Sequence, residues 1–323
     1  MKRGLVIGKF MPVHQGHIAL IHFAATQCDE LIVSMSYTPH DPIDGELRFS
    51  WMQEIFLAHP AIKLYSIEDN FDDVTLALPE RTRQWAERMR QVYPPIDILF
   101  SSEEYGLPFA ENMSAAHCSF DLERTTIPVS ATRIRTHPFR YWEFIPEVVR
   151  PYFVKKICFY GSESTGKSTM AKRMATIYQT AFVPEVAREL ITSNDFTLKD
   201  ILRIGHAQTK RVIDMARTAN KILFCDTDVI TTQIYSKHYL NEVPAELLEL
   251  EKVIQYDQYF LFDIDVPWVA DDLRDLGHQR TEMYEVFKHA LEERNISYLN
   301  VQGSYDEREQ FIRSVIDQML LEG

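Results

Sequence analysis

The chain has 323 residues, with 34 Lys and Arg against 47 Asp and Glu, which gives a formal net charge of −13. At roughly 150 residues per domain, this length predicts about two domains. Apolar residues make up 46% of the chain, as expected for packed cores rather than for a disordered or fibrous protein. The acidic balance argues against nonspecific binding to nucleic acid or anionic lipid, because both require a basic surface.

The four cysteines, Cys28, Cys118, Cys158 and Cys225, are scattered singly, with no C-x-x-C pair and no histidine at metal-ligand spacing. This pattern indicates neither a disulfide framework nor a zinc site. The apolar stretch at residues 5–7 is too short for a signal segment, and no window approaches ~18 consecutive apolar residues. We therefore expect a cytoplasmic protein that does not bind a membrane.

Short β-branched and aromatic runs alternate with segments of helical period in the first half of the chain. Strands are predicted at residues 5–7, 31–35, 62–67 and 96–100, and helices around residues 18–25, 47–59 and 81–93. Such alternation is typical of an α/β domain with a mostly parallel sheet. Because the first strand begins almost at the N-terminus, we expect no further domain before it.

A second series of strands is predicted at residues 157–160, 182–183, 222–224, 259–262 and 298–301, and a final helix at 305–321. Residues 136–156 separate the two series and contain three prolines, Pro138, Pro146 and Pro151. Proline density favours a boundary. We therefore predict two domains, 1–150 and 151–323.

The first predicted strand runs into the sequence G-K-F-M-P-V-H-Q-G-H at residues 8–17. Gly8 and Gly16 allow close approach of a ligand to the backbone, and the free N–H groups of a following helix favour phosphate. His14 and His17 flank Gly16 and could donate hydrogen bonds to that phosphate. The alternative is a tight turn whose histidines only cap the helix. The candidate nucleotide-binding residues here are Ile7, Gly8, Lys9, Phe10, His14, Gly16 and His17.

A second phosphate-binding candidate is the sequence V-S-A-T-R-I-R at residues 129–135. Ser130 is a plausible N-cap, and Thr132, Arg133 and Arg135 follow in the first turns of a helix, so hydroxyl and guanidinium groups could converge on phosphates. A capped basic helix without a ligand is the alternative.

Loops that follow strands in an open α/β sheet line the ligand crevice. Residues 37–48 and 101–105 are therefore candidate loops for a second substrate. Arg48, Trp51 and Trp85 could contact a ring or a phosphate, unless they are ordinary surface and core residues.

Residues 161–168 match G-x-x-x-x-G-K-[ST], directly after an apolar strand and before an amphipathic helix. In such a P-loop the backbone N–H groups surround a phosphate, the lysine reaches the terminal phosphates and the final hydroxyl ligates Mg²⁺. The sequence therefore predicts an ATP and Mg²⁺ site, with Ser168 as a metal ligand. Its residues are Gly161, Ser162, Glu163, Ser164, Thr165, Gly166, Lys167, Ser168 and Thr169.

Acidic residues follow two other strands of the second half. Asp226 ends one of them and could hold the Mg²⁺ shell, while Asp228 could orient a hydroxyl or a water. Glu185 ends another, close to Arg188, and is our candidate base, with Asp226 as its rival. A carboxylate at a strand end is also often only a helix N-cap.

Residues 268–280 combine glycine and mixed charge after the fourth strand of this series. A closing lid there would bring arginine onto a transferring phosphoryl group and exclude water. Ordinary solvated charge is the alternative. The candidate lid and substrate residues are Arg188, Asp228, Trp268, Asp271, Arg274 and Arg280.

The H-x-G-H turn and the V-S-A-T-R-I-R segment resemble two signatures of the nucleotidylyltransferase superfamily. Together with G-S-E-S-T-G-K-S-T, C-D-T-D and P-W-V-A-D-D-L-R, they resemble NadR-type bifunctional proteins over both halves of the chain. The resemblance implies a Rossmann-like nicotinamide mononucleotide (NMN) adenylyltransferase domain followed by a P-loop ribosylnicotinamide kinase domain. By analogy with nucleoside kinases, Glu185 would accept the proton of the attacking hydroxyl.

The resemblance implies that the second domain phosphorylates nicotinamide riboside and the first converts NMN to NAD, both with ATP and Mg²⁺. The catalytic candidates are His14, His17, Lys167, Glu185 and Asp226. The residues alone indicate only a nucleotidylyltransferase joined to a small-molecule kinase, so pantetheine phosphate or flavin mononucleotide could also be the acceptor. The rival hypothesis is an NAD- or ATP-sensing regulator with an active kinase and a first domain that only binds. No DNA-binding element is expected, and the sequence leaves a homo-oligomer open.

Overall fold

The structure is a computed structural model that describes residues 1–193, 195–269 and 276–323. The chain divides into two compact units, Met1–Arg150 and Pro151–Glu322. In the described residues, each unit is built on one five-stranded parallel sheet, so the predicted α/β class is confirmed. No helix within those residues is both long enough and apolar enough to cross a membrane.

The first unit alternates strands and helices from its first residues. Its elements are β1 (Arg3–Gly8), α1 (Gln15–Ala25), β2 (Glu30–Tyr37), α2 (Gly45–Phe56), β3 (Ile62–Glu68), α3 (Leu78–Val92), β4 (Ile98–Ser101), α4 (Gly106–Met113), β5 (Ala116–Ser119), α5 (Ala131–Thr136) and a 3₁₀ turn at Trp142–Phe144. The strand order is β3-β2-β1-β4-β5.

The strand order of the first sheet reverses at β1, so the carboxyl end of β1 is a topological switch point. Strands β2 and β3 lie on one side of β1, and β4 and β5 on the other. Leu5 and Leu99 of the two central strands pack against Ala86 and Met89 of α3 and Phe109 of α4. Ligands bind at such switch points in open α/β sheets, which places the loop after β1 at the expected position of a site.

The second unit follows the short helix α6 (Arg150–Phe153). Its elements are β6 (Lys155–Tyr160), α7 (Lys167–Ile177), β7 (Phe182–Val183), α8 (Ala187–Leu190), α9 (Leu198–Ala216), β8 (Ile222–Asp226), α10 (Val229–Leu240), α11 (Ala245–Glu251), β9 (Gln258–Phe262), a 3₁₀ turn at Leu276–Gln279, α12 (Arg280–Glu293), β10 (Tyr298–Val301) and α13 (Tyr305–Glu322). The strand order is β10-β9-β6-β8-β7.

The second sheet is covered by helices on both faces. On one face Phe159 of β6 packs among side chains of α7 and α13, including Met174 and Ile316. On the other face Tyr160 packs against Phe287 of α12. Strands buried on both faces are continuously apolar, as in β6 and β9, and this pattern predicted their positions within a few residues.

Two elements of the first unit were missed by the sequence prediction. Helix α4 and strand β5 lie in a stretch without a clear periodic pattern, and β5 has four residues with no β-branched side chain. Strand β5 exists because it pairs in register with β4, from Ala116 opposite Ile98 to Ser119 opposite Ser101. An edge strand held by one neighbour needs little local propensity.

Candidate active sites

The histidine turn joins β1 to α1. His14 is the N-cap of α1, and its Nδ1 accepts a hydrogen bond from Gly16 N at 3.1 Å. The rings of His14 and His17 stack with centroids 3.7 Å apart, and the rings of Phe10 and His17 meet edge to face with centroids 5.0 Å apart. A Cβ on Gly16 would lie 3.0 Å from the His14 ring, so any other residue here would press on that ring. His14 therefore caps the helix, as the alternative interpretation expected, and still keeps Nε2 for a ligand.

Both histidines are electrically neutral at physiological pH. Burial and the nearby Arg124 lower the pKa of His14 to about 3. Burial, His14 and Arg124 lower the pKa of His17 well below its ordinary value. His17 Nδ1 is buried without a hydrogen-bond partner among the described residues. Neutral imidazoles can each donate one N–H to a phosphate oxygen.

One cavity, of about 610 Å³, lies on the α1 side of this turn. His14, Gly16 and His17 line it together with Ser130 and Thr132. Ser130 is the N-cap of α5, and its Oγ accepts from Arg133 N at 3.3 Å. The structure thus brings the two segments, which are distant in the sequence, to one cavity.

The two arginines of the second segment have other partners. Arg133 donates to Pro128 O at 3.3 Å, and Arg135 donates to Met11 O. The Arg135 contact ties α5 to the histidine turn. The guanidinium that lines the cavity is that of Arg124, which also pairs with Glu103 at 2.5 Å. Sequence analysis missed Arg124, because a single arginine in a loop follows no spacing rule.

A second cavity of the first unit, of about 630 Å³, is lined by Ile7, Gly8 and Lys9. Trp85 and Tyr105 meet in this lining edge to face, with ring centroids 5.5 Å apart. This confirms neither residue as a ligand contact, but it places two of the candidate segments, the turn and residues 101–105, around one cavity.

Acidic and basic side chains surround the aromatic pair of this cavity. Lys9 Nζ lies 3.8 Å from Asp69 Oδ2, and burial raises the pKa of Asp69 despite that neighbour. Trp85 Nε1 donates to Asp72 Oδ1 at 3.0 Å, and Arg81 donates to both oxygens of Asp72. The indole is therefore held in place with one face under the Arg81 guanidinium, 5.3 Å away.

Arg48 lines neither cavity, which favours the structural alternative over a ligand contact. Its side chain is fully buried, pairs with Asp41, and donates to the carbonyls of Lys9 and Ile43. It fixes the loop backbone instead. Trp51 is also buried, in α2, and belongs to the interior of the unit.

The P-loop joins β6 to α7. Gly161 and Gly166 have φ values of +134° and +90°, which side chains other than glycine rarely adopt. Lys167 Nζ donates to Ser162 O at 2.7 Å and is available to exchange that partner for a phosphate oxygen. All predicted residues except Ser162 line one cavity of about 450 Å³. The Ser162 hydroxyl is buried, with no hydrogen-bond partner among the described residues.

A buried arginine also supports the P-loop. Arg308 of α13 is fully buried, donates to Thr165 O at 2.7 Å and to Gly303 O at 2.9 Å, and pairs with Asp265. No sequence motif contains Arg308, and the prediction missed it. Its separation of 143 residues from Thr165 explains why.

Glu185 and Asp226 have different environments. Burial and the charge of Glu185 raise the pKa of Asp226 to about 6, against the effects of Lys167 and Ser168. One oxygen of Asp226, Oδ1, is buried without a hydrogen-bond partner among the described residues. Glu185 lines the P-loop cavity and accepts from Arg188 Nε at 2.9 Å.

Asp228 is a helix cap, which differs from its predicted contact with substrate. Its carboxylate accepts from Thr231 N at 2.9 Å and from Tyr259 Oη at 3.0 Å. These bonds fix the start of α10, directly after the strand that carries Asp226. Asp228 is thus a carboxylate at a strand end that serves as a helix N-cap.

An apolar cavity of about 700 Å³ adjoins the P-loop cavity. The two cavities share Glu163, Glu185, Arg188, Thr227, Thr231 and Tyr235. Only the apolar one is lined by Phe196, Ile201, Ile204, Gln208 and Tyr239. These side chains come from α9 and α10 and their neighbourhood, where the sequence analysis named no site residue.

The predicted lid lies partly outside the described residues, and this applies to Asp271 and Arg274. Trp268 and Arg280 contact each other, with the guanidinium 5.6 Å from the ring, and Arg280 donates to Val266 O at 3.0 Å. Neither residue lines the P-loop cavity or the apolar cavity beside it. The described contacts of this segment with the P-loop are made by backbone: Val269 N donates to Ser164 and Leu276 N to Glu163.

Comparison with known proteins identifies the family. Residues 156–308 match the family model described as an AAA domain. The chain is 32% identical over 345 aligned positions to the trifunctional NAD biosynthesis/regulator protein NadR of Escherichia coli (strain K12), covering 97% of this chain and 81% of that protein. The chain belongs to the NadR family. This confirms the predicted family, and the chain is an enzyme of NAD biosynthesis.

Other known proteins match a part of the chain or nearly all of it. The nicotinamide-nucleotide adenylyltransferase of Methanocorpusculum labreanum is 25% identical over 153 residues, 46% of this chain and 88% of that protein. Crystal structures of NadR protein in complex with NAD and AMP-PNP, and in complex with NR, superpose with TM-scores of 0.81 and 0.80 at 24% identity. They cover 99% and 98% of this chain, and 96% and 95% of theirs. This likeness shows that the NadR fold extends over both units.

Proposed function

We propose that the chain catalyses two consecutive steps of NAD biosynthesis. Residues 151–323 transfer the γ-phosphoryl group of ATP to the 5′-hydroxyl of nicotinamide riboside. Residues 1–150 then join the resulting NMN to the adenylyl group of a second ATP, which forms NAD and releases pyrophosphate. The product of one unit is thus the acceptor of the other.

One observation carries the assignment of the first unit: two cavities flank the same turn. His14 and His17 face the cavity that Ser130 and Thr132 complete, whereas Gly8 and Lys9 face the other. A reaction that joins two phosphorylated substrates requires two pockets that meet at the phosphates. The similarity to a nicotinamide-nucleotide adenylyltransferase over 46% of the chain supports the presence of an adenylyltransferase.

The side chains that line each pocket support one particular substrate for that pocket. Neutral His14 and His17 donate N–H groups to the α-phosphate as its charge increases, and Arg124 neutralises the leaving pyrophosphate. In the other pocket, Trp85 and Tyr105 offer aromatic surface and Asp69 offers a negative charge to a pyridinium ring. An oxygen of the NMN phosphate attacks the α-phosphorus, so the enzyme supplies no nucleophile.

Two cavities that share Glu185 support a phosphoryl transfer in the second unit. ATP would occupy the P-loop cavity and the riboside the apolar one, so that the 5′-hydroxyl lies near Glu185. Glu185 accepts the hydroxyl proton as the oxygen attacks the γ-phosphorus, and ADP leaves. We assign Glu185 rather than Asp226 as the base, because Asp226 is buried and lines neither cavity. One of the crystal structures of NadR protein is a complex with NR.

The residues around Lys167 fit a magnesium ion. Asp226 offers a buried oxygen without a described partner, and the hydroxyl of its neighbour Ser168 lines the P-loop cavity. Hard oxygen ligands, few in number and completed by phosphates and waters, are what Mg²⁺ prefers. No group of three or more acidic, histidine or cysteine side chains suited to a metal occurs among the described residues, which agrees with a metal held mainly by its nucleotide. When bound, the ion would neutralise charge on the transferring phosphoryl group.

The test supplies the purified chain with nicotinamide riboside, ATP and Mg²⁺, and follows NMN and NAD by chromatography. A parallel reaction begins from NMN. We expect NAD from both. Riboside that stops at NMN, together with no reaction of NMN, would overturn the adenylyltransferase assignment and leave the kinase assignment standing. Failure of the riboside while NMN still reacts would overturn the kinase assignment alone.

A further inference from the structure

The apolar cavity beside the P-loop contains one buried amide. Gln208 lies in the middle of α9, its side chain is 2% exposed, and it lines this cavity but not the P-loop cavity. Most of its neighbours in the lining are aliphatic or aromatic, including Ile204 and Phe196. A buried amide in such surroundings is costly unless its donors and acceptor find partners.

Only one side of this amide has a partner. Gln208 Oε1 accepts a hydrogen bond from the backbone N–H of Val186 at 3.0 Å. That bond fixes the orientation of the amide, because an inverted amide would place two donors against each other. Nε2 is then buried with no hydrogen-bond partner among the described residues. It carries two N–H donors, and leaving them unpaired costs about 1–3 kcal/mol.

We propose that Gln208 determines acceptor specificity by donating a hydrogen bond from Nε2 to a carbonyl oxygen on the ring of the riboside. This inference deepens the proposed kinase function and rests on it. The carboxamide of a nicotinamide ring supplies such an oxygen. A riboside whose ring lacks a hydrogen-bond acceptor would leave the Gln208 donors unpaired and would be rejected.

The position of Gln208 fits the ring end of the substrate. The lining shared with the P-loop cavity, which includes Glu185, must receive the 5′-hydroxyl. Gln208 belongs to the part of the lining that is not shared, together with Phe196 and Tyr239, whose rings meet edge to face at 5.3 Å. Tyr235 stacks on Tyr239 at 6.3 Å. Aromatic walls suit a flat cationic ring, and Gln208 supplies a directional polar contact among them.

The hydrogen bond to Val186 gives Gln208 a second role, which the test must separate from the first. Val186 directly follows Glu185, so the amide also holds the backbone beside the proposed base. The substitution Gln208→Glu keeps an oxygen for Val186 N–H and removes both donors when ionised. Gln208→Met removes the donors at every pH but leaves Val186 N–H without its partner.

The experiment measures kcat/KM for nicotinamide riboside and for the same pyridinium riboside without the carboxamide. The ratio of the two is the readout, because both substrates carry the same ring charge and the same reacting hydroxyl. We expect the native chain to prefer nicotinamide riboside by roughly 10–100-fold. In Gln208→Glu and in Gln208→Met the preference should fall to within about threefold. A role in holding Glu185 alone would lower both rates and leave their ratio unchanged.

Thr209→Val is the matched control. It removes a buried hydroxyl from the next residue of α9, which bonds Gly205 O and does not line this cavity, and the ratio should stay as in the native chain. A native enzyme that uses both ribosides equally, or variants that keep the native ratio, would overturn the proposal. A native enzyme that phosphorylates neither riboside overturns the kinase assignment, and this inference with it. Because Gln208 lies in the second unit, the thermal unfolding of each variant and its binding of ATP show that this unit is folded.

Discussion

The two units hold their phosphate-binding loops by the same device, built from unrelated sequences. In the first unit, buried Arg48 donates to the carbonyl of Lys9 and pairs with Asp41. In the second, buried Arg308 donates to the carbonyl of Thr165 and pairs with Asp265. Each arginine comes from a helix that is distant in sequence from the loop it holds. When the N–H groups of a loop must point at a ligand, its carbonyl groups point away from the ligand and need hydrogen-bond donors on that side.

The two loops differ in the charge they offer to the nucleotide. The histidine turn offers neutral donors, because burial and Arg124 keep both imidazoles unprotonated. The P-loop offers the ammonium of Lys167 beside the carboxylate of Asp226. Attack on an α-phosphate releases pyrophosphate, whereas transfer of a γ-phosphoryl group requires charge neutralisation at the terminal phosphate. In the proposed adenylyl transfer the positive charge for the leaving pyrophosphate comes from Arg124, outside the turn, whereas in the proposed kinase it comes from the P-loop itself.

The largest effect should come from breaking the first arginine contact. In Arg48→Met the carboxylate of Asp41, only 8% exposed, loses its charged partner. We expect the free energy of unfolding of the first unit to fall by about 3–5 kcal/mol, measured in urea by a probe such as Trp85 fluorescence. Arg308→Met should cost the second unit less, because its partner Asp265 is 35% exposed and water can solvate it.

A double variant is the control, because it also removes the charge of Asp41, which has lost its partner. Arg48→Met combined with Asp41→Asn should recover part of the lost stability, since the asparagine amide is uncharged and retains an oxygen for the N–H of Thr38. Equal losses for the two arginine variants would show that exposure of the partner carboxylate does not decide the cost.

Lys167→Ala should separate the two activities most clearly. It removes the one P-loop side chain that carries a positive charge, and a preorganised group of this kind typically contributes about 10²–10³-fold to kcat. We expect a loss of that size in the formation of NMN from riboside and no change in the formation of NAD from added NMN. Lys172→Ala, on an exposed position of the same helix, is the control. Loss of both activities would mean that the units are coupled.

The loops themselves were the most predictable parts of the molecule. Gly161 and Gly166 are favoured by their backbone conformation and Gly16 by close packing against His14, and these preferences appear as fixed local spacings. The strands that precede the loops are buried on both faces, so they read as short apolar runs. A motif is therefore recognisable when the backbone alone determines which residues are allowed.

The residues that support the loops, and those proposed to select the substrate, were not predictable in this way. The sequence left open whether Arg48 contacts a ligand or is structural, and Arg308 was not noticed, because a buried ion pair has no local sequence signature. Gln208 and Tyr235 reach the apolar cavity from two different helices, and only the packing of those helices brings them together. Asp228 follows Asp226 by two residues, yet one caps a helix and the other lies beside the P-loop, which depends on the direction of each side chain.

His17→Ala tests the neutral-donor interpretation of the first loop. Removing one preorganised donor should lower kcat for the conversion of NMN to NAD by about 10²-fold, and leave the phosphorylation of riboside unchanged. His22→Ala on the same helix is the matched control, since its ring packs against Phe56 and His59. An equal loss in both variants would point to a general effect on α1 rather than to a contact with phosphate.

The smallest effect is a difference in pH dependence between the loops. In the proposed kinase the Asp226 carboxylate would act in its ionised form beside Mg²⁺, and burial raises its pKa to about 6. As the pH falls through 6 the carboxylate binds a proton, so kcat/KM for riboside should be about tenfold lower at pH 5 than at pH 7.5. His14, with a pKa lowered to about 3, is already neutral at pH 5 and gains no charge in this range. Its ring C–H signals in NMR spectra should therefore not shift between pH 5 and 8. A His14 ring that titrates near 6.5, or a kinase rate that is flat down to pH 5, would remove the electrostatic contrast between the two loops and leave only their shared arginine support.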